Sequence, residues 1–404
     1  MSSTTLDAAR RSWSLYVVLA FVSVSFSATG PVAIIIAAAR EGGLSLQQTS
    51  SWLFAALAIN GLASILISWK TRQPLLFLWT IPGAVLVAPV IAHFGFATAV
   101  GTYLVCAATL ILLGVTNAVA VLDRWVPMPV VMAMIAALFL KYVVAIVDAT
   151  LAAPLVGAGM VLAFFVLTWL ERRGARVIPP IIGSVLVGLL MLVVSGFHWP
   201  QGTHTQWLAT PELISPVFNL RAISQLLVPL LVTVLFVQNA QGIAVIRNAG
   251  YPTSSKMVTV WSGILTAVTG VFGGCPSVLA GPSNAILVSG GDHGRHHIAA
   301  SIAAVMFIAI GCCATAYVFL LTNLPAAFVV VLAGLAMLGV LEKAFVAAFS
   351  SPLPMSALLV FVVTTANFSL LGIGAPFWGV LAGCIVCHTI ERRNFVASQS
   401  GNAP

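Results

Sequence analysis

Apolar runs of about 20 residues, enough to cross a hydrocarbon core near 30 Å thick, recur from Leu15 to Ile390 with little polar sequence between them. They predict about fourteen segments, beginning near residues 14, 46, 74, 98, 127, 152, 177, 222, 257, 275, 297, 325, 354 and 374. The junctions carry residues that end helices and prefer water: Lys70-Thr71-Arg72-Gln73-Pro74, Asp123-Arg124-Trp125-Val126-Pro127, Glu171-Arg172-Arg173-Gly174 and Glu391-Arg392-Arg393. One connection, His198 to Leu220, is longer; its Trp199, Trp207, His204 and three prolines read as an interfacial loop or short amphipathic piece.

The third and tenth segments are interrupted by similar words, Trp79-Thr80-Ile81-Pro82-Gly83-Ala84-Val85-Leu86-Val87 and Leu279-Ala280-Gly281-Pro282-Ser283-Asn284-Ala285-Ile286-Leu287. Proline donates no backbone hydrogen bond and pushes the preceding residue toward extended geometry. Each segment should therefore enter as a strand and turn helical from about Gly83 or Ser283. Two helix starts then meet near the bilayer centre, where free N–H groups and positive dipole ends suit an anion. Interrupted segments at corresponding positions of two halves are the best sequence pointer to a transporter's binding site.

The halves also match elsewhere, Phe21–Phe26 with Leu231–Phe236 about 210 positions later. Seven segments is an odd number, so the second half re-enters from the opposite side. The pattern predicts an all-α integral membrane protein, a 7+7 inverted repeat with two broken half-helices. Its parts are an N-terminal tail over 1–13, a first repeat over 14–197, an external connecting loop over 198–220, a second repeat over 221–390 and a C-terminal tail over 391–404.

Composition agrees: of 404 residues 60% are hydrophobic and only 6% charged, which leaves no room for a sizeable soluble domain. The first run reads as a retained helix, because it continues past Arg40 into small residues instead of a cleavage site. The net charge of +8 reports topology, not nucleic acid. With both termini cytoplasmic, most Lys and Arg fall on one side, while Arg40 and Arg221 lie at the other face and Lys141 inside a span. Six cysteines read as buried thiols; Cys384-Ile385-Val386-Cys387-His388 spells a covalent haem site but lies in an apolar helix. No metal or cofactor is expected.

Gln238-Asn239-Ala240-Gln241-Gly242 is the densest polar cluster within an apolar run, costly unless it bonds across helices or to a ligand. In a regular helix Gln238 and Gln241 share a face and Asn239 points elsewhere. Ser27-Ala28-Thr29-Gly30-Pro31 is small and polar at the corresponding place in the first half. No acid lies at mid-depth in any segment, so a proton relay on a buried carboxylate has no obvious member. Lys141, placed about two turns from a span end, is expected to snorkel, and His93 to be interfacial. The loop Gly290-Gly291-Asp292-His293-Gly294-Arg295-His296-His297 reads as a hinge or an anchor on the phosphate-rich side rather than as a metal site. With no P-loop, nucleophile elbow or paired carboxylates, an enzyme is not expected.

Phe236-Val237-Gln238-Asn239-Ala240-Gln241-Gly242, Gly273-Gly274-Cys275-Pro276-Ser277 and Gly281-Pro282-Ser283-Asn284-Ala285 resemble signature segments of the benzoate membrane transport protein family, described as benzoate/proton symporters. The resemblance covers essentially the whole chain. More distantly it is similar to nucleobase/ascorbate and sulfate-type transporters, which implies a core domain from 14–122 and 221–323 and a gate domain from 126–197 and 324–390. It leaves room for a homodimer. Gln238 falls where nucleobase carriers have a substrate-binding glutamate, and Ser283 where they have another, just before an asparagine that Asn284 matches. Loss of both carboxylates suits an anionic substrate and removes the borrowed proton-coupling scheme.

The reading is a secondary transporter of the bacterial inner membrane that imports benzoate or a close aromatic carboxylate, with a proton as partner. The carboxylate is expected between Gly83, Ala84 and Ser283, with Gln238 and Asn284 as donors and Asn239 and Gln241 nearby. Phe26, Trp79 and Phe236 are expected to pack on the ring. The rivals are a nucleobase or inorganic-anion carrier on the same fold, an anion channel, and a membrane-embedded enzyme.

Overall fold

The computed structural model describes residues 3–119, 127–175, 178–197, 206–366, 368–370 and 373–399. The junction around Asp123-Arg124-Trp125, and His198, Trp199, Pro200 and His204 of the long connection, lie outside the described residues.

The described chain is mostly helical. Among the described residues, seven helices are long and apolar enough to cross a membrane: Trp13–Glu41, Leu46–Thr71, Phe96–Val115, Met128–Ala152, Pro154–Arg172, Leu220–Asn248 and Ala326–Phe349. His296–Cys312 and Ala314–Asn323 form a further pair bent by 68°, and Ile81–Phe94, Pro180–Val194, Pro354–Thr365 and Ala375–Thr389 are shorter apolar helices. With this series of apolar helices, the chain is an integral multi-pass membrane protein.

Helix extends into the described part of each expected tail. The first helix runs from Ser3 to Glu41, so the backbone of most of the N-terminal segment continues the first apolar run. At the other end Arg392–Gln399 folds back, burying Phe395 against Leu353 and Cys387. Glu391 accepts from the N–H groups of Met355 (3.0 Å) and Ser356 (2.9 Å), so a carboxylate caps the start of Pro354–Thr365, where the helix dipole favours it. The long connection is not an amphipathic helix from residue 206 onward. It is an extended strap whose N–H groups donate to helix-end carbonyls: Ala209 to Cys312, Ile214 to Val271 and Val217 to Ala97.

The third and tenth segments do enter as strands, and the strands pair. Phe77–Trp79 runs antiparallel to Ser277–Leu279, with Leu78 opposite Val278 and Trp79 opposite Ser277. Two strands buried among helices leave two unpaired edges, which in an apolar interior must find partners. Side chains supply them. Ser64 Oγ accepts from Phe77 N–H (2.8 Å) and Ser68 Oγ from Leu75 N–H (3.0 Å) on one edge. Asn239 Oδ1 accepts from Leu279 N–H (2.9 Å) and Thr266 Oγ1 from Ser277 N–H (2.9 Å) on the other. The donors and acceptors come from Asn60–Thr71, Thr233–Asn239 and Ser255–Gly270, so three neighbouring helices hold one short ribbon.

Helices start directly behind each strand, Ile81–Phe94 after Thr80 and Gly281–Leu287 after Ala280. They differ in length, fourteen residues against seven. Two stretches elsewhere are π-helical, Ala55–Ile59 and Thr233–Asn239, each ending beside an asparagine side chain that faces the ribbon. Asn60 Oδ1 accepts from Ser277 Oγ (2.9 Å). The wide turn rotates the residues that follow, which decides where the polar cluster at 238–241 points.

Candidate functional site

A pocket forms where the first helix, the two strand-to-helix turns and the π-helical stretch converge, lined by Phe26, Ser27, Pro31, Leu78, Trp79, Ile81, Gln238, Ala280, Pro282 and Ser283. Its cavity volume is small, ≈ 20 Å³, room for about one water. None of these residues is charged, so the site's electrostatics are those of dipoles and hydroxyls in a low-dielectric surround.

Its polar members are held from several sides. Ser27 Oγ lies 2.7 Å from Ser283 Oγ, and Ser23 Oγ, one turn earlier on the same helix, donates to the Ser283 carbonyl at 3.3 Å. Gln238, 8% exposed, turns into the pocket from the π-helical stretch. Trp79 is 3% exposed and its indole Nε1–H is buried without a hydrogen-bond partner. A buried orphan donor on a pocket wall is the feature most in need of an acceptor.

The expected residues divide accordingly. Gln238, Ser283, Trp79 and Phe26 line the pocket together. Asn284 does not: its Oδ1 accepts from Leu76 N–H (3.1 Å) and its Nδ2 donates to the carbonyls of Leu76 (3.0 Å) and Ala280 (2.8 Å), so the amide is fully used in fastening the first strand. Asn239 is likewise spent on Leu279 and on Ser262, to which it donates at 3.0 Å.

Gly83 and Ala84 lie behind the wall. Thr80 caps the helix, its Oγ1 accepting from Gly83 N–H (3.2 Å) and its carbonyl from Ala84 N–H (3.0 Å), so neither N–H is free for an anion. Gly83 is instead a packing requirement; a Cβ there would sit 2.1 Å from Thr80 Cγ2 and 3.2 Å from Cys275 Sγ. Gln241 is exposed, lies along Gly281 and does not line the pocket. Phe236 is buried away from the pocket.

Ser27, Pro31, Leu78, Ile81, Ala280 and Pro282 complete the wall and were not singled out as binding residues from sequence. The signal for Ser27 was present, since Ser23 and Ser27 are one helical turn apart on an apolar helix and therefore share a face.

Beyond the pocket, the loop after Gly281–Leu287 is an anchor. Asp292 N–H donates to Tyr16 Oη (3.1 Å) and Gly294 N–H to Tyr251 Oη (3.0 Å), while the Tyr251 hydroxyl lies 2.9 Å from His296 Nδ1. Burial raises the Tyr251 phenol above its ordinary pKa, and the Gly294 contact opposes the shift. His293 stacks on Tyr251, and His297 sits against Arg72 and Trp69. His293 and His296 thus share Tyr251 while His297 meets Arg72 and Trp69, and no group of three metal-ligating side chains converges among the described residues.

A family model described as benzoate membrane transport protein matches residues 12–389, with the pocket and both strand-to-helix turns inside the match. The chain belongs to the benzoate membrane transport protein family. It is 27% identical over 377 residues to the inner membrane protein YdcO of Escherichia coli, covering 92% of this chain and 94% of that protein. It is 25% identical over 391 residues to the benzoate membrane transport protein of Acinetobacter baylyi, covering 95% and 97%. Among solved structures the fold is shared with SLC26A9, at a TM-score of 0.63 and 12% identity over 93% of this chain. This chain spans 65% of that one. It is also shared with the transmembrane domain of the cyanobacterial bicarbonate transporter BicA, at 0.59 and 14% identity over 91% and 96%. Fold and family together make this benzoate-family protein a membrane transport protein.

Proposed function

We propose that the protein is a secondary transporter that takes up benzoate or a close aromatic carboxylate, with a proton as co-substrate. The observation that carries this reading is a pocket with no charged lining in which an orphan indole N–H at Trp79, two hydroxyls at Ser27 and Ser283 and one amide at Gln238 surround apolar walls. A carboxylate accepts hydrogen bonds and would be repelled by a fixed acid, while an aromatic ring needs apolar surface such as Phe26, Leu78 and Pro282. The A. baylyi relative, named for benzoate, supports the same substrate class.

In this reading the chain crosses a bacterial inner membrane about fourteen times as two inverted halves, with both termini cytoplasmic. The helices that build the pocket form a core, made of 14–122 and 221–323, and 126–197 with 324–390 form the gate against which it moves to give alternating access. Close approach of the two parts at Gly30, where a Cβ would sit 2.4 Å from Ala336 Cβ, gives the core a smooth track. A homodimer belongs to the same reading.

An inorganic anion is the second substrate class, favoured by the likeness in fold to BicA, titled a bicarbonate transporter. Uptake of labelled benzoate into proteoliposomes, with and without an imposed pH gradient and in competition with substituted benzoates, bicarbonate, sulfate and uracil, separates the readings. Saturable, proton-stimulated uptake blocked only by aromatic acids is expected; block by bicarbonate but not by benzoates overturns it.

A further inference from the structure

A second, open and larger cavity of ≈ 550 Å³ shares a helix with the pocket. Val85, Leu86 and Pro89 line it, and these follow Ile81, a pocket residue, by one to two turns of the same helix. The two spaces therefore lie along one helix, the pocket at its start and the cavity over its later turns.

The charged residues among the described lining are Glu41 and Lys141. Lys141 Nζ lies 3.4 Å from Glu41 Oε2, and both side chains are roughly half exposed, 47% and 42%. Lys141 is the fourteenth residue of Met128–Ala152, and its ammonium faces the open cavity and meets Glu41, the last residue of Trp13–Glu41.

A single contact between half-exposed partners is weak and readily exchanged, because each charge keeps much of its hydration. A mobile carboxylate entering the cavity can take Glu41's place on the ammonium, with its ring on Leu86 and Pro89.

We propose that Lys141 is a capture site for the aromatic carboxylate, which displaces Glu41 from the ammonium before moving along Ile81–Phe94 to the Trp79–Ser283 pocket. This rests on the aromatic-carboxylate reading above. The positive-inside bias puts the cavity on the external side, so the capture step is the first in uptake. Lys141 acts on encounter and Glu41 as its competitor, which gives opposite signs to their removal.

The test is initial-rate uptake of labelled benzoate by the full chain in proteoliposomes, at low and high salt, for wild type, Lys141→Gln, Lys141→Arg and Glu41→Gln. Capture predicts that Lys141→Gln raises KM about tenfold, the size of one lost charge-assisted contact, while Lys141→Arg stays near wild type. Glu41→Gln lowers KM by about two- to threefold, and added salt narrows all these differences. An unchanged KM in Lys141→Gln overturns the proposal. So does a KM that rises in both Lys141→Gln and Glu41→Gln, the pattern of a merely structural ion pair. If Lys141→Gln does not fold, the sign of the Glu41→Gln effect decides alone. Wild-type protein without saturable benzoate uptake overturns the substrate reading and the capture site together; wild-type uptake with either overturning pattern removes only the capture site.

Discussion

Ser27 and Ser283, 256 positions apart in the chain, bring their hydroxyl oxygens to 2.7 Å. The contact ties the first membrane helix to the start of Gly281–Leu287 at the rim of the pocket. Each hydroxyl can donate to the other or to a bound acceptor, so the pair offers two donors that exchange a mutual bond for bonds to an anion. Ser283→Ala and Ser27→Ala should each weaken benzoate binding by about 1 to 3 kcal/mol with little loss of thermal stability. Ser283→Glu should oppose the anion far more strongly. Titration of purified protein with benzoate, alongside a melting curve, measures both; wild-type affinity in the two alanine variants would remove the serines from the site.

Trp79 separates ring from donor. Trp79→Phe keeps most of the apolar surface and deletes the orphan Nε1–H. If that N–H meets the carboxylate, affinity falls by about 1 to 2 kcal/mol while the unliganded protein becomes no less stable, since an unsatisfied buried group is removed. Equal affinity together with higher stability would show that the indole serves packing only.

The amides of Gln238, Asn239 and Asn284 should behave differently. Gln238→Ala is expected to lower affinity and leave the fold intact, because its side chain faces the pocket. Asn239→Ala and Asn284→Ala leave the N–H groups of Leu279 and Leu76 unpaired in an apolar interior, costing stability by about 2 to 4 kcal/mol. Melting temperatures in detergent sort them; a stable Asn239→Ala with lost binding would reverse the assignment.

Gly83→Ala tests the packing role of the first turn. Its Cβ would press on Thr80 and Cys275, so the expected result is a loss of about 1 to 3 kcal/mol in stability, partly restored by Thr80→Ser, which removes the clashing methyl and keeps the cap. Lost affinity at unchanged stability would point instead to direct contact with the substrate.

Much of the architecture was legible because its causes are local. Hydropathy placed the helices, and Pro82 and Pro282 marked the two extended entries, since proline constrains its own neighbourhood whatever surrounds it. The supports of the ribbon were also written in the chain: Asn60, Ser64 and Ser68, and Ser262, Thr266 and Thr269, fall at helical spacing on single faces of apolar helices. That such stripes exist can be read; that they are spent on strand edges cannot, because the acceptors and donors lie far off in sequence.

The site itself was half legible. Polar residues in apolar runs must have partners, so Gln238, Asn239, Ser283 and Asn284 stood out, but the choice between ligand and scaffold depends on which way a helix face turns. Gln238 and Asn239 are chain neighbours that point to different sides of their helix, one into the pocket and the other into the ribbon, and which side meets which is set by packing. Likewise Lys141 and Glu41 are 100 positions apart, one in the middle of its helix and the other at the end of another. Sequence alone determined that this chain lives in a membrane, where it breaks, and that its central polar residues carry no acid, because these follow from solvent and backbone chemistry. Which of those residues face one another, and so which can hold a carboxylate, was decided only by tertiary packing, because in an apolar interior a polar group is committed by the neighbour it meets.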